Sequence, residues 1–175
     1  MTKPIYFSRF VVSDQVFYRS KYSYALVNLR PIVPGHVLVV PYNTNVITLS
    51  QLSRDESIDY FQTIQLIQSF ITWKYKSDAM NVAIQDGPEA GQSVPHLHTH
   101  LIPRFKQNNV GDKIYNMLND WDARRDEYLK EQIVFKPDDQ RIERSMETMR
   151  NEAEELNKSI GEFIKTFPEL TSKWI

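Results

Sequence analysis

The chain carries four histidines, and they fall in two short segments: His36, directly after Pro34-Gly35, and His96, His98 and His100 at alternate positions. A β-strand repeats its side-chain direction every two residues. In Pro95-His-Leu-His-Thr-His-Leu-Ile-Pro103 the three imidazoles are therefore expected on one face, with Leu97, Thr99 and Leu101 on the other. Imidazoles brought that close disfavour one another's protonation, so against a reference pKa of about 6.5 the rings should stay neutral at pH 7. A neutral imidazole is a nucleophile or a metal ligand.

The loop before the triplet bears on that choice. Gln85-Asp-Gly-Pro-Glu-Ala-Gly-Gln-Ser93 brings Gly87 and Gly91, two of only five glycines, next to Gln85, Gln92 and Ser93. Glycine lets backbone N–H groups approach a ligand closely, and amides and hydroxyls are uncharged donors that suit phosphate oxygens. These residues favour phosphate chemistry over metal binding. Zinc stays open as the alternative, because Asp86 and Glu89 are near enough in sequence to orient or supplement histidine ligands. No Walker-type Gly-Lys-Ser or Gly-Lys-Thr occurs.

The elements that must position these groups follow from periodicity. Ile5 to Val12, Gln15 to Tyr18, Ser23 to Leu29 and His36 to Val40 are rich in Val, Leu, Tyr and Phe and read as strands of an antiparallel sheet. Arg19-Ser20-Lys21 reads as a turn, and Pro31 and Pro34-Gly35 interrupt regular structure before His36. A helix is expected from Ser53, where Ser53 and Glu56 have capping-box spacing and Tyr60, Ile64, Ile67 and Ile71 form one apolar stripe, to about Lys76–Asp78. Met80 to Gln85 and His96 to Ile102 read as further strands, the second ending at Pro103. Residues 106–140 are polar and mixed in charge, which predicts an exposed, mobile excursion. Beyond Pro137, the residues Ile142, Met146, Met149, Ala153, Leu156, Ile160, Phe163 and Phe167 alternate four and three apart. One long amphipathic helix over 141–175 is expected, packing on its own domain or on a partner subunit rather than serving as a dedicated coiled coil.

Composition narrows the classes. A length of 175 residues suits one domain of about 150 plus a tail. Lys plus Arg (21) against Asp plus Glu (22) leaves a formal charge of −1, so there is no global basic field to hold nucleic acid or an anionic membrane. The absence of cysteine excludes disulfides, thiolate zinc sites and a cysteine nucleophile. No apolar run reaches the roughly 18 residues of a membrane span, and Met1 to Phe10 lacks a signal-type pattern, so an intracellular protein is expected.

The triplet His96-Leu-His98-Thr-His100-Leu-Ile resembles the signature of the histidine triad superfamily of nucleotide hydrolases and transferases. Gln85-Asp-Gly-Pro-Glu-Ala-Gly-Gln92, with Pro34-Gly35-His36-Val-Leu-Val upstream, is similar to the fragile histidine triad branch, the dinucleoside triphosphate hydrolases. The likeness runs over roughly residues 5–105 and is strongest between 85 and 104. Thr99 departs from it, standing where the family has a hydrophobic residue. Because Thr99 is expected to face away from the imidazoles, the departure concerns packing behind the strand.

The resemblance implies an α+β fold, an antiparallel sheet with a packed helix, in which residues 1–105 form the catalytic domain, and a homodimer whose two sheets run together. It implies hydrolysis of dinucleoside polyphosphates such as diadenosine triphosphate to AMP plus the remaining nucleotide. His98 would be the nucleophile at the α-phosphorus, carrying a transient nucleotidyl group, with His36 and His96 as supports. His100, Gln92, Ser93 and the loop backbone around Gly91 and Val94 would bind the phosphates. Asn28 would contact the ribose, Leu26 and Tyr6 would line the base pocket, and Gln85 would lie near the substrate. No cofactor and no protein-bound metal is implied, with Mg or Mn assisting on the substrate; the setting is the cytoplasm and nucleus. Tyr115 falls where the family has a tyrosine in a mobile loop. Two alternatives remain: a nucleoside phosphoramidate hydrolase using the same intermediate, and a nucleotide-binding signalling protein whose slowly turned-over substrate complex is the output.

Overall fold

The structure, a computed structural model, describes residues 3–107, 111–118 and 143–175. Strands β1 (Tyr6–Phe7) and β2 (Phe10–Val11) form a small antiparallel ribbon. The main sheet is built from β3 (Val16–Arg19), β4 (Ser23–Val27), β5 (Val37–Pro41), β6 (Ala79–Ile84) and β7 (Thr99–Arg104), antiparallel throughout in the order β3-β4-β5-β7-β6. The helix α1 (Arg54–Tyr75) lies between β5 and β6 in sequence. Residues 113–118 are helical (α2), and the C-terminal segment contributes α3 (Met146–Thr166) and α4 (Pro168–Thr171).

Pairing register gives the sheet two unlike faces. Ala25 faces Val39 across the β4–β5 ladder and Val37 faces Leu101 across β5–β7. These residues, with Tyr60, Ile64, Ile67 and Ile71 of α1 and Met149, Ala153, Leu156, Ile160 and Phe163 of α3, form the largest apolar core. The other parity carries the row Leu26, Leu38, His100 and Ala83, each register partner of the next. Leu26, Leu38, Tyr24 and Val40 bury against Ile5, Phe7 and Val12 of the N-terminal ribbon. The central strands are thus covered on both sides, which is why β4 and β5 read as continuous apolar runs.

α1 starts where the capping box predicts. Ser53 Oγ accepts from Glu56 N–H and the Glu56 carboxylate accepts from Ser53 N–H, which holds that carboxyl below the usual range. It ends at Lys76, in the left-handed conformation. Asp59 of α1 accepts from Ser20 Oγ and from the N–H groups of Lys21 and Tyr22, which closes the β3–β4 turn. α3 packs on its own domain, and its Asn157 side chain donates to the Phe17 carbonyl at 2.8 Å.

Several expectations need correction. Ile5–Val12 is not one strand: Ser8 has φ +53°, outside the extended region, and folds the segment into the ribbon. The strand expected over 96–102 begins only at Thr99 and continues through Pro103 to Arg104. The C-terminal helix stops at Thr166, since Phe167 precedes Pro168 and cannot comfortably stay helical. Met146 is exposed rather than part of the buried stripe, and Ile142 lies outside the described residues. Most of the expected mobile excursion, 106–140, also lies outside them. Its described part includes α2, where Ile114 and Leu118 bury against Ile102. Among the described residues no helix is long and apolar enough to cross a membrane.

Candidate active site

His36, His96, His98 and His100 are all buried, and the structure brings three of the rings into a row. The His36 and His100 centroids are 5.3 Å apart, and those of His100 and His98 are 5.0 Å apart. Only His100 lies within a laddered strand, so the row does not come from strand alternation along the triplet as expected. It forms because His36 shares the parity of Leu38, the register partner of His100, while His96 and His98 enter from the irregular chain before β7. Gly35 turns the chain into His36 at φ +83°; a Cβ there would meet the Tyr75 ring at 2.8 Å.

Backbone groups fix the tautomers of His36, His96 and His98, and His36 fixes that of His100. Ile32 N–H donates to His36 Nδ1 at 3.1 Å, so the proton of neutral His36 is on Nε2 and is donated to His100 Nδ1 at 3.0 Å. His100 must then carry its own proton on Nε2, as a donor. Ser8 N–H donates to His96 Nδ1 at 2.9 Å, so His96 Nε2–H donates to the Pro41 carbonyl at 2.9 Å. The His96 carbonyl can only accept, so His98 Nδ1–H donates to it at 2.8 Å. That leaves the lone pair of neutral His98 on Nε2.

Electrostatics keep the supporting rings neutral. Burial pushes His96 down to about 4, against smaller opposing hydrogen bonds from the Pro41 and Asn43 backbones. His100 is pushed well below the ordinary histidine value, first by burial and then by His98 and His36 beside it.

The remaining expected residues distribute around this row. Asn28, one residue past β4, is buried, and neither its amide oxygen nor its nitrogen has a hydrogen-bond partner among the described residues. Leu26 and Val94 bury together with Leu38 and Phe7. Gln85 is buried at the end of β6, and Ser93 holds a buried Oγ with no hydrogen-bond partner among the described residues. Gly91 closes the short turn Pro88–Ala90 with φ +92°, a conformation few side chains adopt. Gln92 Nε2 donates to the Ile47 carbonyl at 2.8 Å, so one of its two N–H groups holds the loop itself.

Tyr6 is 42% exposed, whereas its neighbour Phe7 is buried, with its ring against His98 (5.2 Å, edge-on) and His96 (5.6 Å). Sequence reasoning missed Phe7 and Leu38. Both were findable by alternation, Phe7 counted from Ile5 and Leu38 from His36. Behind the row, Thr99 Oγ1 lies 2.6 Å from the Tyr60 hydroxyl, which donates to the Val39 carbonyl at 3.1 Å. The departure at Thr99 is therefore matched by a polar partner. Tyr115 is half exposed at the start of α2, its hydroxyl within reach of Asn81. Among the described residues no group of three or more His, Asp or Glu is arranged to hold a metal ion.

Rings, parity and phosphate-type loop together define a histidine triad protein, and the model of the HIT domain matches residues 9–107: the chain belongs to that family. It is 53% identical, over the whole of both chains, to the bis(5'-adenosyl)-triphosphatase of Saccharomyces cerevisiae. It is 47% identical to the asymmetrical bis(5'-nucleosyl)-tetraphosphatase of Schizosaccharomyces pombe over 67% of this chain and 65% of that relative. Among solved structures, Plasmodium falciparum diadenosine triphosphate hydrolase in complex with Cyclomarin A superposes with a TM-score of 0.69 at 27% identity, covering 93% of this chain and 87% of that one.

Proposed function

We propose that this chain hydrolyses dinucleoside polyphosphates of the diadenosine triphosphate type to AMP and the remaining nucleotide. The observation that carries the reading is the hydrogen bond from His98 Nδ1–H to the His96 carbonyl, which directs the lone pair at Nε2. Full-length similarity to a bis(5'-adenosyl)-triphosphatase supports the choice of substrate.

In the first step His98 Nε2 attacks the α-phosphorus in line; the N–P bond forms as the bond to the bridging oxygen breaks and the polyphosphate nucleotide leaves. Water then attacks the same phosphorus, AMP departs and the imidazole is regenerated. Splitting one displacement into two lowers the barrier of each. Charge growing on the non-bridging oxygens meets the Nε2–H of His100, Ser93 Oγ and the loop N–H groups near Gly91 and Val94, with Gln92 and Gln85 alongside. Asn28 offers its unpartnered amide to the ribose, and Leu26, Leu38 and Phe7 offer apolar surface to the base. No resident cofactor is invoked; Mg or Mn, entering with the polyphosphate, would offset its charge. Pairing into a homodimer suits β6, the sheet edge on which Val82 is 50% exposed, better than β3, which α3 covers. An intracellular setting, in cytoplasm and nucleus, completes the reading.

Acid-stable and acid-labile labels separate the chemistry. Rapid quenching at alkaline pH during turnover of α-labelled diadenosine triphosphate, followed by peptide mapping, should recover an acid-labile nucleotidyl group on His98. Turnover with label on no residue, or on another histidine, would overturn the assignment. A panel including adenosine phosphoramidate tests the leaving group, and preference for the phosphoramidate would reverse the choice of substrate.

A further inference from the structure

Arg144 stands directly ahead of Ser145, the N-cap of α3, and reaches back to the strand end that carries Asn28. Its Nε donates to the Asn28 carbonyl at 3.0 Å and its Nη2 donates to the same oxygen. Its Nη1 pairs with Glu152 of α3, and its backbone N–H donates to the Leu29 carbonyl at 3.1 Å. Arg30 and Glu143 form a second ion pair beside it. The β4–β5 register ends at Val27 with Val37, so the sheet ladder has released the chain just where Asn28 must be held. Among the described residues, the Asn28 side-chain amide has no hydrogen-bond partner of its own to fix its direction. A forked guanidinium on a carbonyl is a stiff, charge-assisted restraint.

We propose that Arg144 is a positioning residue: through the Asn28 carbonyl it sets the direction of the Asn28 amide, so that α3, outside the matched family region, contributes to affinity for the nucleoside. The proposal rests on Asn28 being the ribose partner. A restraint acting equally on ground state and transition state appears in KM and leaves kcat alone.

The test is steady-state kinetics on diadenosine triphosphate and on its analogue lacking the 2′ and 3′ hydroxyls, using the parent, Arg144→Ala, Arg144→Lys, Asn28→Ala and the Arg144→Ala/Asn28→Ala double variant. Arg144→Ala should raise KM for the ribose substrate roughly tenfold with kcat within about twofold, and should leave KM for the dideoxy analogue near the parent value. Arg144→Lys should recover part of the loss by restoring a single charged donor, and it carries the comparison if the alanine variant does not fold. Asn28→Ala should show the same dependence on the ribose, and the double variant should lose little more than either alone. Equal loss on both substrates, or loss on neither, overturns the proposal. A parent protein that does not hydrolyse the substrate would sink the functional reading; a hydrolysing parent with Asn28→Ala sensitive to the ribose and Arg144→Ala indifferent to it would sink the positioning role alone.

Discussion

His100 and His98 stand 5.0 Å apart and are held by different means. His100 belongs to the ladder: its Cβ direction is set by pairing with Leu38 on one side and Ala83 on the other, and its tautomer by His36. His98 belongs to irregular chain, and its ring is directed by the carbonyl two residues back and by the edge-on ring of Phe7. In the proposed mechanism the sheet would supply a rigid proton donor and the loop would present the nucleophile. A reacting ring placed outside the ladder would have its approach to phosphorus set by a few local bonds rather than by strand pitch.

The difference can be broken first at the reacting ring. His98→Asn should lower kcat by about a thousandfold or more while substrate affinity stays within a few fold, because the donors remain; quenched-flow turnover and calorimetric titration measure the two. Parental turnover in that variant would mean that the loop does not present the nucleophile. Next comes the apolar support. Phe7→Ala removes a fully buried ring and should cost about 3–4 kcal/mol of stability, read from denaturant melts, with kcat falling while the His36–His100 imidazole signals in the NMR spectrum persist. If those signals shift as much as the His98 signals, the two halves are not independent.

Acid titration is a third probe. His96 is held near 4 in the fold against about 6.5 when unfolded, so between those values the unfolded chain binds the extra proton. Stability should therefore be level above pH 6.5 and decline as the pH drops through that window, by about 3 kcal/mol from this ring. His100, also pushed down, adds in the same direction. Urea midpoints that do not move between pH 7 and pH 4.5 would contradict the neutral anchors. The smallest effect is expected behind the ladder: Thr99→Val leaves Tyr60 its bond to the Val39 carbonyl and should cost only about 1 kcal/mol, with kcat unchanged. A larger fall in kcat would show that the strand transmits strain to His100.

What sequence could show follows the same division. α1 was legible to the residue at its start, since Ser53 and Glu56 act locally, and β4 and β5 were legible because buried strands are uniformly apolar. The four histidines and the glycine-containing loop before the triplet stood out by residue type and spacing, whereas Asn28 was singled out only through the family resemblance. The bend at Ser8 was not, because no glycine or proline marks it and the surrounding residues are strand formers. With the bend hidden, the packing of Phe7 against His96 and His98 was hidden too. The late start of β7 was hidden for a related reason: alternation looks the same whether or not a neighbouring strand is present to pair. Arg144 was invisible because its partner lies 116 residues away and nothing local marks it.

Anchoring His36, His96 and His98 to main-chain groups, with Ile32 and Ser8 as donors and Pro41 and His96 as acceptors, and His100 through His36, has an evolutionary corollary. The residues at positions 32, 8 and 41 can drift in identity without resetting which nitrogen bears hydrogen, whereas inserting or deleting a single residue in either connecting segment would scramble the protonation pattern. Proline at 32 or 8 is the exception, because it removes the donor outright. Lineages sharing this arrangement should tolerate replacement there far better than changes in length.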